Sequence, residues 1–85
     1  MKKFKAIVRV KRKPGVLDPQ GKTILESLQR LEYGNVNSLY VGKSFFIDID
    51  SENAGDAKAE IAEISKKVLS NPIIEDFEIL EIEEI

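Results

Sequence analysis

An α+β fold of element order β-α-β-β-α-β is what this sequence of 85 residues predicts, on three observations. Phe4, Ala6, Val8 and Val10 alternate with Lys5, Ile7, Arg9 and Lys11, the two-residue period of a half-buried strand. Two later stretches, one opening at Asp18 and one at Ser51 or Asn53, lengthen that period to the stripe of an amphipathic helix. Leu39, Val41, Phe45, Ile47 and Ile49 all occupy odd positions, so strand structure spread over this region puts them on one face.

The first strand ends at Lys13-Pro14-Gly15. Asp18 then suits a helix N-cap, because its carboxylate can accept the first free helical N–H groups. Pro19 suits the first helical position, where a missing N–H costs nothing. Ile24, Leu25, Leu28 and Leu31 form the apolar stripe, and Gly34 after Tyr33 is placed to stop the helix. Gly21 has no local explanation. Glycine inside a helix costs roughly 0.5–1 kcal/mol relative to alanine, so its presence suggests that something approaches the backbone closely.

Parity decides the next segment. A two-residue turn at Gly42-Lys43 would send Asp48 inward and bury an unpaired carboxylate, which is expensive. The pattern therefore favours a hairpin with Gly42-Lys43-Ser44 as a three-residue loop, or one long strand bent at Gly42. Phe46 points to the other face, which implies that this face is covered too. The second helix carries Ala57, Ile61, Ile64 and Val68, and Asn71-Pro72 closes it. The last strand starts near Ile74. Its apolar positions change parity between Phe77 and Ile79 on one side and Leu80 and Ile82 on the other, which a bulge or burial by a neighbouring subunit would explain.

This order is a split, ferredoxin-like sandwich, an antiparallel sheet with two helices, in which the first and last strands are neighbours. Charge agrees. Eight of the 13 basic residues lie in the first 22 positions, whereas the last 11 hold Glu75, Asp76, Glu78, Glu81, Glu83 and Glu84 and no base. Side by side, the two strands would face opposite charges across the ladder. No repeat, linker or low-complexity stretch divides the chain, so residues 1–85 read as a single domain. So short a chain has a small core, which makes oligomerisation the expected source of extra stability.

Composition excludes much chemistry. With no cysteine and no histidine, disulfides, Cys/His zinc sites and a Ser-His-Asp hydrolase are out. The net charge of −2 and the lack of interleaved aromatics argue against nucleic acid. No apolar run approaches the ~20 residues of a membrane span, and no signal peptide is evident, so a cytoplasmic protein is expected. Gly42-Lys43-Ser44 has the ending of a phosphate loop without the earlier glycine. The carboxylates of the last strand have no orienting partner for acid–base work. No catalytic, cofactor or metal residues are expected. What remains is a compact basic rim of Lys11, Arg12, Lys13 and Lys22 around the Asp18 turn, which is either a solvated strand end or a docking surface for an acidic partner or a partner-bound phosphate.

Three runs together resemble the PurS family, the small subunit of phosphoribosylformylglycinamidine synthase: Gly15-Val16-Leu17-Asp18-Pro19-Gln20-Gly21-Lys22, Val41-Gly42-Lys43, and Asn71-Pro72 followed by Ile74-Glu75-Asp76-Phe77. The resemblance implies a non-catalytic assembly subunit in purine biosynthesis. It would join a synthetase subunit, which binds ATP with magnesium and formylglycinamide ribonucleotide, to a glutaminase subunit. Ammonia from glutamine then displaces the ATP-activated amide oxygen to make an amidine. The resemblance also implies a homo-dimer or tetramer and no cofactor on this chain. Lys11, Arg12, Lys13, Gln20, Gly21 and Lys22 become the candidates for partner contact, being polar, near a helix N-terminus and poorly explained by folding alone. The competing expectation is a ferredoxin-like module that binds a small regulatory ligand as a dimer.

Overall fold

The computed structural model describes all residues 1–85. Its elements are β1 (Lys2–Arg12), α1 (Pro19–Arg30), β2 (Gly42–Ser51), α2 (Ala54–Ile64) continued by a π-helical turn (Ser65–Leu69), and β3 (Glu75–Glu84). The three strands form one antiparallel sheet in the order β2-β1-β3. The fold is therefore α+β, with the order β-α-β-α-β.

The fourth strand expected before Gly42 is not formed. The Val41 N–H donates to the Asp18 carboxylate at 2.8 Å, so this segment is tied to the start of α1 and not to a neighbouring strand. The shared parity of Phe45, Ile47 and Ile49 holds: they pair with Val8, Ala6 and Phe4, all on the face covered by α2. Phe46 and Asp48 point to the opposite face. That face carries no element of this chain, and Phe46 is 78% exposed.

The second correction concerns α1. The expected two-helix layer needs α1 to lie along the sheet, but no α1 residue joins the hydrophobic cluster, and Gly21 is its only buried residue. Topology gives the reason. A helix that returns along a sheet delivers the next strand parallel to the first, whereas β2 runs antiparallel beside β1. Residues 13–41 must therefore leave the end of the sheet and come back to the same end. They form an arm, with α1 as one limb. The molecule measures 53 × 26 × 14 Å and has a radius of gyration of 16.6 Å, against about 12 Å for a compact chain of this length.

Local chemistry sets the other boundaries. Asp18 caps α1 as expected, accepting from the Gly21 N–H at 3.0 Å. The helix ends earlier than Gly34: the Tyr33 N–H donates to the Leu28 carbonyl at 2.9 Å, and Glu32 takes the left-handed conformation at φ 70°. Asn53 caps α2, accepting from the Asp56 N–H at 2.8 Å. Ala57, Ile61 and Ser65 are its buried stripe. The Ser70 N–H then reaches back five residues to the Ser65 carbonyl at 2.9 Å, and the wider turn rotates the stripe by one position. Leu69 packs against the core, and the expected Val68 faces solvent.

Asn71 shapes the entry to β3. Its carbonyl accepts from the Ile74 and Glu75 N–H groups, and its Oδ1 accepts from the Ile73 N–H. The parity change is a bulge: Val8 opposes Ile79 and Ile7 opposes Glu81, leaving Leu80 as the extra residue. Phe77, Ile79 and Ile82 thereby share the α2-covered face. The segregated charges meet as Arg9–Glu78 at 2.9 Å, Lys5–Glu83 at 3.5 Å and Lys2–Glu84 at 3.8 Å. All are solvated, so each contributes at most about 1 kcal/mol, and they specify register more than stability.

Candidate docking surface

The site is built where β1 ends, α1 begins and β2 starts. Gly15 turns the chain at φ 83°, and the Arg12 guanidinium donates to the Leu17 carbonyl at 2.7 Å, pinning the loop that presents Asp18. The Asp18 carboxylate is the knot of this end. One oxygen accepts from the Gly21 N–H and the other from the Val41 N–H, so a single side chain joins the base of α1 to the entry of β2. Gly21 is required by the same contact. A Cβ there would lie 2.5 Å from Asp18 Oδ2 and 2.8 Å from the Leu39 carbonyl oxygen. The close approach that the sequence implied at Gly21 thus comes from its own chain, and Gly21 is buried.

Hydrogen bonds from the Val41 and then the Gly21 N–H hold the Asp18 carboxyl below its ordinary range, against a weaker opposing effect of desolvation and with the least contribution from the Arg12 charge. A carboxylate whose pKa is depressed by folding adds stability above its unfolded value, and that contribution is lost as pH falls through the folded value. Stability carried by Asp18 is thus complete above about pH 4 and disappears below it. Urea midpoints measured between about pH 2 and pH 6 are expected to fall on the acid side for the native chain. In Asp18→Asn the midpoint is lower at neutral pH, and the gap from the native chain closes in acid. An unchanged gap would mean that the ionised carboxylate does not hold this end together.

Around the knot, the remaining candidates are distributed over three shallow concavities. Lys11, Arg12 and Gln20 line one of about 100 Å³, together with Lys43, Asp18 and Glu75. Lys11 and Arg12 also border a cavity of about 390 Å³ with Lys13, Pro14 and Tyr40, where no acidic residue intrudes. Lys22 lies across the base of α1, on a more open surface of about 440 Å³ shared with Leu17, Leu39 and Tyr40. Lys11, Lys13, Lys22 and Lys43 make no ion pair with any carboxylate of the chain. Their ammonium groups are therefore available to a partner, whereas Arg12 is partly committed to its own loop.

Lys43 and Tyr40 were missed. Lys43 looked like part of a turn, yet it is in register with Val10, next to Lys11. Tyr40, 77% exposed, reaches the rim only because the arm folds back, and no local pattern signals that. No group of three or more acidic, histidine or cysteine side chains is placed to hold a metal ion. No helix is long and apolar enough to cross a membrane.

The family model for PurS, described as phosphoribosylformylglycinamidine (FGAM) synthase, matches residues 5–84. The phosphoribosylformylglycinamidine synthase subunit PurS of Methanocaldococcus jannaschii is 42% identical over 76 residues, covering 89% of this chain and 92% of the relative. The subunit of the same name from Bacillus subtilis is 33% identical over 82 residues, covering 96% and 95%. The crystal structure of M. jannaschii PurS superposes with a TM-score of 0.82 at 43% identity, covering 96% of this chain and 98% of that one. A chain in the structure of PurLQS from Thermotoga maritima superposes with a TM-score of 0.82 at 29% identity over the full length of both.

Proposed function

Because this chain belongs to the PurS family and is a subunit of phosphoribosylformylglycinamidine synthase in purine biosynthesis, we propose that it acts as a non-catalytic assembly subunit. It joins an ATP-dependent synthetase subunit to a glutaminase subunit, so that ammonia released from glutamine reaches the activated amide without escaping to solvent. The observation that carries this reading is the full-length match to a chain solved within PurLQS. The basic rim supports it physically. Unpaired lysines beside an exposed tyrosine, with no cluster of side chains placed to hold a metal ion, suit recognition of an acidic protein surface. Lys11, Lys13, Gln20 and Lys22, with Lys43 and Tyr40, are the proposed contact residues. Arg12 and Gly21 hold the loop and helix start that present them. ATP and magnesium belong to the synthetase partner, and the assembly subunit itself is a homo-oligomer.

The test is amidine formation by purified synthetase and glutaminase subunits, with and without this chain. With glutamine as nitrogen donor the chain is expected to be required; with free ammonia it is expected to be dispensable. Equal rates with and without it in the glutamine assay would overturn the reading. A small-ligand regulatory module would then be the better description.

A further inference from the structure

The ion pairs between β1 and β3 stop short of the Asp18 end. At four places a base of β1 stands opposite an acid of β3. Two of them, Lys5 with Glu83 and Arg9 with Glu78, close as ion pairs. The other two, Lys11 with Asp76 and Arg12 with Glu75, do not. Glu75 is drawn aside, its Oε1 accepting from the Asn71 N–H at 2.8 Å. Arg12 turns one guanidinium nitrogen to the Leu17 carbonyl at 2.7 Å, and Lys13 has no acidic partner either. Three consecutive cations are thus left without a counter-charge, around the cavity of about 390 Å³ that they share with Pro14 and Tyr40. Like charges so placed repel one another, so folding alone gains nothing from them.

We propose that this cavity binds a nucleoside phosphate, with the phosphate on Lys11, Arg12 and Lys13 and the base against the Tyr40 ring. Its volume lies in the range of small-molecule sites, about 300–1,000 Å³. Its walls are held in place by the chain itself. The Lys13 N–H donates to the Ile74 carbonyl at 2.8 Å, and the residue after Tyr40 is tied to Asp18 through the Val41 N–H, also at 2.8 Å. The pinned Arg12 keeps further N–H donors free, which with two ammonium groups suit the oxygens of a phosphate. Tyr40 is 77% exposed and offers a ring face on which a base can stack. The occupant is a free nucleotide and not a nucleic-acid strand, because a strand is held by successive aromatics and this cavity has one. Lys11, Lys13 and Tyr40 also belong to the proposed docking surface, but nucleotide binding is a property of the chain alone and does not rest on the assembly role.

The test is calorimetric titration of the native chain with adenosine monophosphate, beside adenosine and inorganic phosphate as separate probes. Saturable binding of the monophosphate, roughly tenfold or more tighter than either fragment, is the expected result. Lys11→Ala with Lys13→Ala is expected to weaken monophosphate and inorganic phosphate alike, by roughly tenfold or more. Tyr40→Leu is expected to bring the monophosphate down to the affinity of inorganic phosphate and to leave inorganic phosphate unchanged. Lys11 and Lys13 make no ion pair within the chain and Tyr40 is exposed, so both variants are expected to melt with the native chain. A monophosphate that binds the native chain no tighter than inorganic phosphate overturns the inference, and so does native affinity in either variant. The glutamine and ammonia assays play no part in this measurement, so failure of the nucleotide site and failure of the assembly role are distinguishable.

Discussion

Replacing Gly21 by alanine is expected to destabilise the chain by up to about 2 kcal/mol, although alanine is the better helix former. The gain from helix propensity is about 1 kcal/mol, and overpacking a filled site costs about 1–3 kcal/mol. The second effect wins because the space at Gly21 cannot relax cheaply. The nearest atoms to a new Cβ are Asp18 Oδ2 at 2.5 Å and the Leu39 carbonyl oxygen at 2.8 Å. The first belongs to a side chain already fixed by two backbone N–H groups, and the second is main chain. Alanine must therefore push the segment before β2 away from α1 or break the Asp18 knot. A domain of this size loses about 4–8 °C of melting temperature for each kcal/mol. Gly34→Ala is the control: nothing lies within 4 Å of its Cβ, and its φ is not positive, so its melting temperature is expected to stay level or rise slightly. Equal behaviour of the two variants in a thermal melt would remove the steric account of Gly21.

Where the pattern of the residues reflects contacts within the chain, it reads well. The alternation of β1, the caps at Asp18 and Asn53, and the bulge signalled by Ile79-Leu80 all depend on which side of an element meets the core. The same holds for the opposition of β1 and β3 charges. The failures arise where an apolar pattern has no covering surface in its own chain. The α1 stripe has the correct period, but a period does not say what buries it, and the antiparallel pairing of β1 with β2 takes the helix off the sheet. Leu39 and Val41 share the parity of β2 without belonging to it, since an extended loop keeps the same two-residue rhythm as a strand. At the docking surface, the cationic residues were legible as a local cluster. Tyr40 and Lys43 join them through the returning arm and the strand register, neither of which leaves a short-range trace.

Reversing three charges at once, with Lys11→Glu, Lys13→Glu and Lys22→Glu, is expected to reduce glutamine-dependent amidine formation by roughly tenfold or more, equivalent to about 1.4 kcal/mol of binding per tenfold. Ammonia-dependent formation is expected to remain unchanged. The three side chains have no ion-pair partner within the chain, so the reversal breaks no internal salt bridge, and a normal melt separates a docking defect from misfolding. Arg12 is left intact because its guanidinium holds the Leu17 carbonyl; altering it would disturb the loop as well as the charge. Surface charges of this kind act mainly through encounter and are screened over about 8 Å at physiological ionic strength. Native assembly is thus expected to weaken with added salt, and the triple variant to lose most of that dependence. Unchanged glutamine coupling in a stable triple variant would show that the basic rim is only a solvated strand end. Equal loss of both activities would place the defect in the synthetase reaction itself and not in the union of the two enzymes.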